Sequence, residues 1–308
     1  MQIVRPSDLV FRLLMGALVG LGGGALAGRV GGLAAGLAVG LGLFGLIVGL
    51  GLRRALGRWR SAREPLSDRQ QAWLAAHVPF YAALDAPGQR RFRRDVRFFL
   101  AERRFERADD RPLDPELPLA IAAGAALLLH GRPDWELPTE RTVLFVPDTF
   151  DEAYGDEEPG MYDGMVHSQG PIVLSTRAVE RGWDREDGHN VVLHELAHVF
   201  DFEGWEADGV PSFLDPRSAD AWVSLMRKEM RRAERGDGIL RSYAASAPAE
   251  LFAVATEQFF ERPARLRKHH PELFDALVAF YDLTPPDEPE AAPDGSWMAR
   301  RWGGEDAG

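Results

Sequence analysis

The sequence predicts an α+β architecture: mainly helices, with a small sheet beside one motif-bearing helix, preceded by a glycine-rich transmembrane segment or hairpin. Three observations predict it. Apolar residues recur at helical spacing over most of the chain from Ser67 onward. Two short runs have strand composition, Thr142–Val146 (TVLFV) and Ile172–Leu174. The N-terminal sixty residues differ in kind from the rest, being apolar, rich in glycine and nearly free of acids.

The N-terminus reads as a membrane element. From Leu13 to Gly28 the chain is apolar between Arg12 and Arg29, and the 23 residues Val30–Leu52 carry no charge. As a helix the second stretch would be roughly 34 Å long, enough to cross a bilayer. Gly16, Gly20, Gly24, Gly28, Gly32, Gly36 and Gly40 recur every fourth residue. Small residues at that spacing let membrane helices approach closely and could also drive self-association. A cleavable signal peptide is the rival reading, with Ala25-Leu26-Ala27 as its cleavage site. Cleavage there would still leave Val30–Leu52 as a span. Arg53, Arg54, Arg58, Arg60 and Arg63 follow the span, and Arg5 and Arg12 precede it. That asymmetry favours a hairpin in the inner membrane with both ends, and the rest of the chain, in the cytoplasm.

Composition bounds the remainder. The chain has 308 residues, a net charge of −11 and 45% apolar residues. It can build a real core, and its acidity argues against a nucleic-acid partner. With no cysteine, any metal must be held by His, Asp and Glu. The expected division is 1–63, membrane anchor and basic juxtamembrane segment; 64–285, folded domain; 286–308, an acidic tail of disordered composition that holds Trp297 and Trp302.

Within the domain, Ser67–Arg107 reads as helices separated at Pro79 and at Asp85–Gly88, and Leu119–Leu129 as a buried helix. Asp151–Gly170 reads as a loop or hairpin between the strands. A helix is expected over Gly188–Phe202, with Asp187 as its cap and Gly204 as its stop. Further helices are expected over Ala219–Arg235, Pro248–Glu261 and Pro271–Tyr281.

The chemistry concentrates in His194-Glu195-Leu196-Ala197-His198, which fits H-E-x-x-H. Positions i and i+4 share a helix face, so two imidazoles can meet one ion, with Glu195 placed beside it to take a proton from water. A catalytic zinc ion wants a third protein ligand and one open position. No histidine lies between 198 and 269, so the third ligand is expected to be a carboxylate. Glu250, Glu257 and Glu261 lie on the later apolar helix, with Glu250 and Glu257 on one face. Glu203, Glu206 and Asp208 compete for the role. Asp201 is expected to hydrogen-bond a ligand histidine or to cap the helix. His167 is a candidate groove residue, whereas His130, His189, His269 and His270 read as structural or exposed.

From about Gln71 to Tyr281 the chain resembles the Mlc titration factor A family of zinc peptidases, whose metal centre is similar to that of the anthrax lethal factor protease domain. The matching words are GPIVLS at Gly170–Ser175, HELAHVFD at His194–Asp201, GVP at Gly209–Pro211 and YAASAPAELFAV at Tyr243–Val254. The resemblance implies a zincin-like peptidase domain, a Zn²⁺ cofactor held by His194, His198 and Glu250, and a peptide or protein substrate. It implies Glu195 as general base and Tyr243, seven residues before Glu250, as a group close to the metal. Glu257 is then expected to orient a ligand histidine. The enteric members are soluble and lack the glycine-rich N-terminus, so their partnership with a transcriptional repressor does not carry over. Two other functions fit the same residues. One is a non-catalytic, membrane-tethered metal-binding module that sequesters a regulatory protein; the other is a membrane structural protein with a passive soluble part.

Overall fold

A computed structural model describes residues 6–109, 111–137, 142–148, 150–151, 161–166, 170–201 and 209–287. The chain divides into two compact units, Met1–Pro65 and Leu66–Gly308.

The first unit is α1 (Pro6–Ser61), two helical arms joined where Gly32 takes φ +77°, ψ 178°. Only glycine adopts that backbone without strain. The arms fold back on each other. A Cβ at Gly20 would lie 2.8 Å from the Gly40 carbonyl oxygen, and one at Gly24 2.8 Å from that of Gly36. The close approach permitted by the glycine ladder is therefore made between two arms of one chain. Leu14, Leu18, Leu21, Val30, Leu33 and Leu41 point outward and are exposed. By length and composition α1 can cross a membrane.

The second unit is mostly helical with a small mixed sheet. Its elements are α2 (Asp68–His77), α3 (Pro79–Ala83), α4 (Ala86–Glu102), β1 (Arg104–Arg107), α5 (Glu116–Leu128), β2 (Thr142–Val146), β3 (Phe150–Asp151), β4 (Met161–Tyr162), β5 (Gly164–Val166), β6 (Ile172–Ser175), α6 (Thr176–Asp184), α7 (Val191–His198), α8 (Ala219–Glu234), α9 (Pro248–Glu261), α10 (Pro263–His269) and α11 (Pro271–Tyr281). The four-stranded sheet has the order β1-β2-β6-β5. β1, β2 and β6 run parallel, and β5 closes one edge antiparallel to β6. β3 and β4 form a separate antiparallel pair.

α5 sits at the centre. Every residue from Leu119 to Leu129 is buried, as expected of an apolar helix too short to span a bilayer. It packs on α4 on one side and on α7 on the other. At that second contact Gly124 lets α7 in close, because a Cβ there would stand 2.6 Å from Val192 Cγ1. The floor under the H-E-x-x-H helix is thus an alanine- and leucine-rich surface with a glycine notch.

The structure changes several expectations. Arg104–Arg107 is not the end of a helix but the parallel edge strand β1. Its sequence RFER has one apolar residue and shows no period-two pattern. α6 and α10 were not anticipated. α10 begins at Pro263 and α11 at Pro271, so each of these prolines ends one helix and opens the next. The motif helix starts at Val191, not Gly188, and its cap is Asn190 rather than Asp187: Asn190 Oδ1 accepts from Val192 N at 3.1 Å and Leu193 N at 3.2 Å. Asp187 instead accepts from the His189 amide at 3.1 Å. Gly204, Glu203, Glu206, Asp208, His167, Trp297 and Trp302 lie outside the described residues.

Gly124→Ala should destabilise the domain by about 1–3 kcal/mol through overpacking against α7. Adding Val192→Ala should recover part of the loss, read as thermal or denaturant midpoints of the single and double variants. His130 is buried between Phe80 and Phe92. Burial, with Arg91 nearby, lowers its pKa to about 4 from the ordinary 6.5. The unfolded chain then binds the extra proton, so stability should fall as pH drops from about 6.5 to about 4, by up to about 3 kcal/mol. His130→Leu should flatten that limb of the pH–stability curve.

Candidate metal centre

α7 and α9 build the site across their contact. α7 presents His194 and His198 one turn apart on a single face. α9 starts at Pro248 and places Glu250 in its first turn, where the positive end of the helix favours a carboxylate. One ligand atom from each of His194, His198 and Glu250 lies within 4.8 Å of the other two. His194 Nε2 is 3.1 Å from Glu250 Oε2 and 3.2 Å from His198 Nε2, and His198 Nε2 is 3.5 Å from Glu250 Oε1. Ligands about 2.0–2.1 Å from a tetrahedral ion stand about 3.3 Å apart. The three donors therefore have the spacing and the nitrogen–oxygen chemistry of an ion site.

Glu257 completes the scaffold two turns further along α9. Its Oε1 meets His194 Nδ1 at 2.8 Å, and its Oε2 accepts from the Asn190 amide at 2.7 Å. A proton held on Nδ1 leaves the Nε2 lone pair facing the site. Arg241 Nη2 donates to the same Glu257 Oε1, while Arg241 Nη1 lies 2.7 Å from His189 Nδ1. Glu261, the third acid of this helix, accepts from the Gly188 amide at 2.8 Å and does not approach the histidines. One helix thus supplies a candidate ligand, a histidine-orienting carboxylate and a clamp on the segment leading into α7.

Charge follows the same geometry. Burial opposes a proton on His194, but the hydrogen bonds to Glu250 and Glu257 outweigh it and raise its pKa to about 10. Burial and the neighbouring His194 lower His198 to about 4. The pair holds one positive charge where a cation would sit. Glu195 is raised to about 7, first by burial and then by Glu250, Glu257 and Asp163, with His194 opposing. It packs directly on β5, where a Cβ at Gly164 would stand 2.6 Å from Glu195 Cγ.

Tyr243 lies on the 3₁₀ turn Ser242–Ala245 and is half exposed. Its ring centroid is 6.3 Å from that of His194, and it hydrogen-bonds Glu250. A cleft of about 710 Å³ opens over these groups, lined by Gly164, His189, His194, Glu195, Arg241 and Tyr243 among others. The structure thus brings together His194, His198, Glu250, Glu195 and Tyr243, with Glu257 behind them. Asp201 Oδ2 accepts from Gly209 N at 2.7 Å, tying the Gly209 turn (φ +76°) to the end of the motif helix. Arg241 and Gly164 were not anticipated. A glycine inside a short strand is a signal of close approach, and Gly164 carries it; Arg241 offers no pattern in sequence.

The family model for the glucose-regulated metallo-peptidase M90 matches residues 53–282. The chain belongs to this metallopeptidase family. An uncharacterized protein of Synechocystis sp. is 30% identical over 247 residues, covering 74% of this chain and 89% of its own. The Mlc titration factor A of Yersinia enterocolitica is 28% identical over 254 residues, covering 74% of this chain and 90% of its own. That of Yersinia pestis strain Pestoides F is 29% identical over 252 residues, with 74% and 89% covered.

Glu257→Gln should keep the fold and weaken metal binding about 10–100-fold, because His194 loses the acceptor that orients it. Competition with a chromogenic chelator reads the change, and an unchanged affinity would count against the role.

Proposed function

We propose that the chain is a zinc-dependent peptidase with a zincin-like domain, anchored in the inner membrane and facing the cytoplasm. The observation that carries this is the convergence of His194, His198 and Glu250 at ion-binding spacing with Glu195 beside them. A zinc ion held by these three side chains would act as a Lewis acid toward water and the scissile carbonyl. Glu195, buried and raised to about 7, takes the proton of the attacking water and later delivers it to the leaving amine. Tyr243 donates a hydrogen bond from its hydroxyl to the developing oxyanion. Glu257 keeps His194 in register throughout. Among the described residues β5 is an edge strand beside Glu195, so an extended peptide can add to it by backbone hydrogen bonds.

The name of the Yersinia relatives, Mlc titration factor A, favours a second reading in which the domain holds a regulatory protein without cleaving it. Glu195 supports hydrolysis over this, because a purely structural metal site has no use for a buried general base.

Glu195→Gln should retain metal and lose peptide cleavage by about 10²–10⁴-fold, and Tyr243→Phe should lose about 10²–10³-fold. His194→Ala should lose both metal and activity. The assay is cleavage of an unstructured peptide library by the purified full-length chain, with and without chelator. Chelator-insensitive cleavage, or full activity in Glu195→Gln, would contradict the proposal. Metal binding with no turnover by the unaltered chain would favour the second reading.

A further inference from the structure

Two histidines of the second unit carry a carboxylate on Nδ1. One is His194, paired with Glu257. The other is His270, at the junction of α10 and α11, which is fully enclosed and meets Glu229 Oε2 of α8 at 2.5 Å. Arg232, one turn along α8, donates to both Glu229 oxygens at 3.1 and 3.0 Å and to the His269 carbonyl at 2.8 Å. Its Nη1 also lies 2.9 Å from His270 Nδ1. Burial opposes the charge on Glu229, but His270 and then Arg232 outweigh it and hold its carboxyl below the ordinary range. None of these three side chains lines the cleft.

The other ring nitrogen faces backbone. The Ile239 amide donates to His270 Nε2 at 3.2 Å. A neutral imidazole has one donor and one acceptor nitrogen. The Ile239 amide therefore fixes Nε2 as the acceptor and leaves the proton on Nδ1, toward Glu229. The approach requires glycine: Gly238 takes φ +122°, and a Cβ there would collide with His270 Nε2. A buried ionic cluster is a weak source of stability, but this one gives the ring a fixed direction.

The turn held in this way leads straight into the cleft. Ile239 stands two residues before Arg241 and four before Tyr243. Arg241 donates to Glu257, Tyr243 hydrogen-bonds Glu250, and both line the cleft. On the far side the segment is pinned by Ala244, which is fully buried. Tyr243 itself is half exposed, so its place is set by the backbone on either side of it.

We propose that His270, clamped by Glu229 and Arg232, is a positioning residue for the cleft: through the Ile239 amide it fixes the turn that carries Arg241 and Tyr243. Its consequence for turnover rests on the hydrolytic reading above; the tether itself does not.

The test is hydrogen exchange, read by mass spectrometry on the metal-free, full-length chain. His270→Asn keeps an amide nitrogen where Nδ1 stands and loses the Nε2 acceptor, whereas His270→Gln returns an acceptor to the Nε2 position. His270→Asn should speed exchange over residues 239–243 about 3–10-fold, the worth of one hydrogen bond, and leave residues 251–259 unchanged. His270→Gln should restore most of the protection. Gly238→Ala, which leaves the cluster intact and pushes the turn off the ring, should loosen the same amides. At saturating zinc, His270→Asn should lower kcat for peptide cleavage by a similar factor with KM within about twofold, and should cost nothing further in Tyr243→Phe. Unchanged exchange over residues 239–243, faster exchange spread evenly over the domain, equal behaviour of His270→Asn and His270→Gln, or additive losses with Tyr243→Phe would overturn the proposal. If the unaltered chain cleaves nothing, the hydrolytic reading fails while the exchange data still decide the tether.

Discussion

One imidazole held between two carboxylates of the same helix organises the second unit. His194 reaches Glu250 through Nε2 and Glu257 through Nδ1, and those acids stand seven residues apart on α9. This arrangement requires α7 and α9 to lie side by side in one register. The burial around them enforces it: Leu193 and Leu196 on α7, and Leu251, Val254 and Ala255 on α9, are fully or almost fully enclosed. The cost of burying Glu257, almost fully enclosed, is offset because Arg241, the Asn190 amide and His194 all donate to it. Glu261 and Gln258 then fasten the Gly188 segment to the same helix. Function and fold are thus coupled: the acids that shape the candidate metal centre also fix where the motif helix begins.

What was legible in sequence follows from where the signal is periodic. H-E-x-x-H shares a face by helical geometry alone, and α9 and α11 announce themselves with a first-turn proline and a long apolar stripe. Spacing pointed to a carboxylate, Glu250, Glu257 or Glu261 on the later helix with Glu203, Glu206 and Asp208 competing, but could not choose among them. That choice needs the rotation of α9 against α7, which is a tertiary fact. β1 was missed because an edge strand of four residues with three charges carries no alternation. Arg241 was invisible for a related reason: it lies sixteen residues before its partner Glu257, in a turn region without period.

The first unit obeys a different physics. Its helices are apolar outward and glycine-lined inward, the reverse of a soluble helix pair. Packing there rests on backbone approach rather than on exclusion of water.

X-ray absorption at the zinc edge of the metal-loaded, full-length chain tests the central claim most directly. Two nitrogen scatterers of imidazole type and one or two oxygens, all at about 2.0–2.1 Å, are expected, with one imidazole contribution lost in His198→Ala and the oxygen shell altered in Glu250→Gln. A zinc shell untouched by both substitutions, or no stoichiometric zinc, would contradict the account.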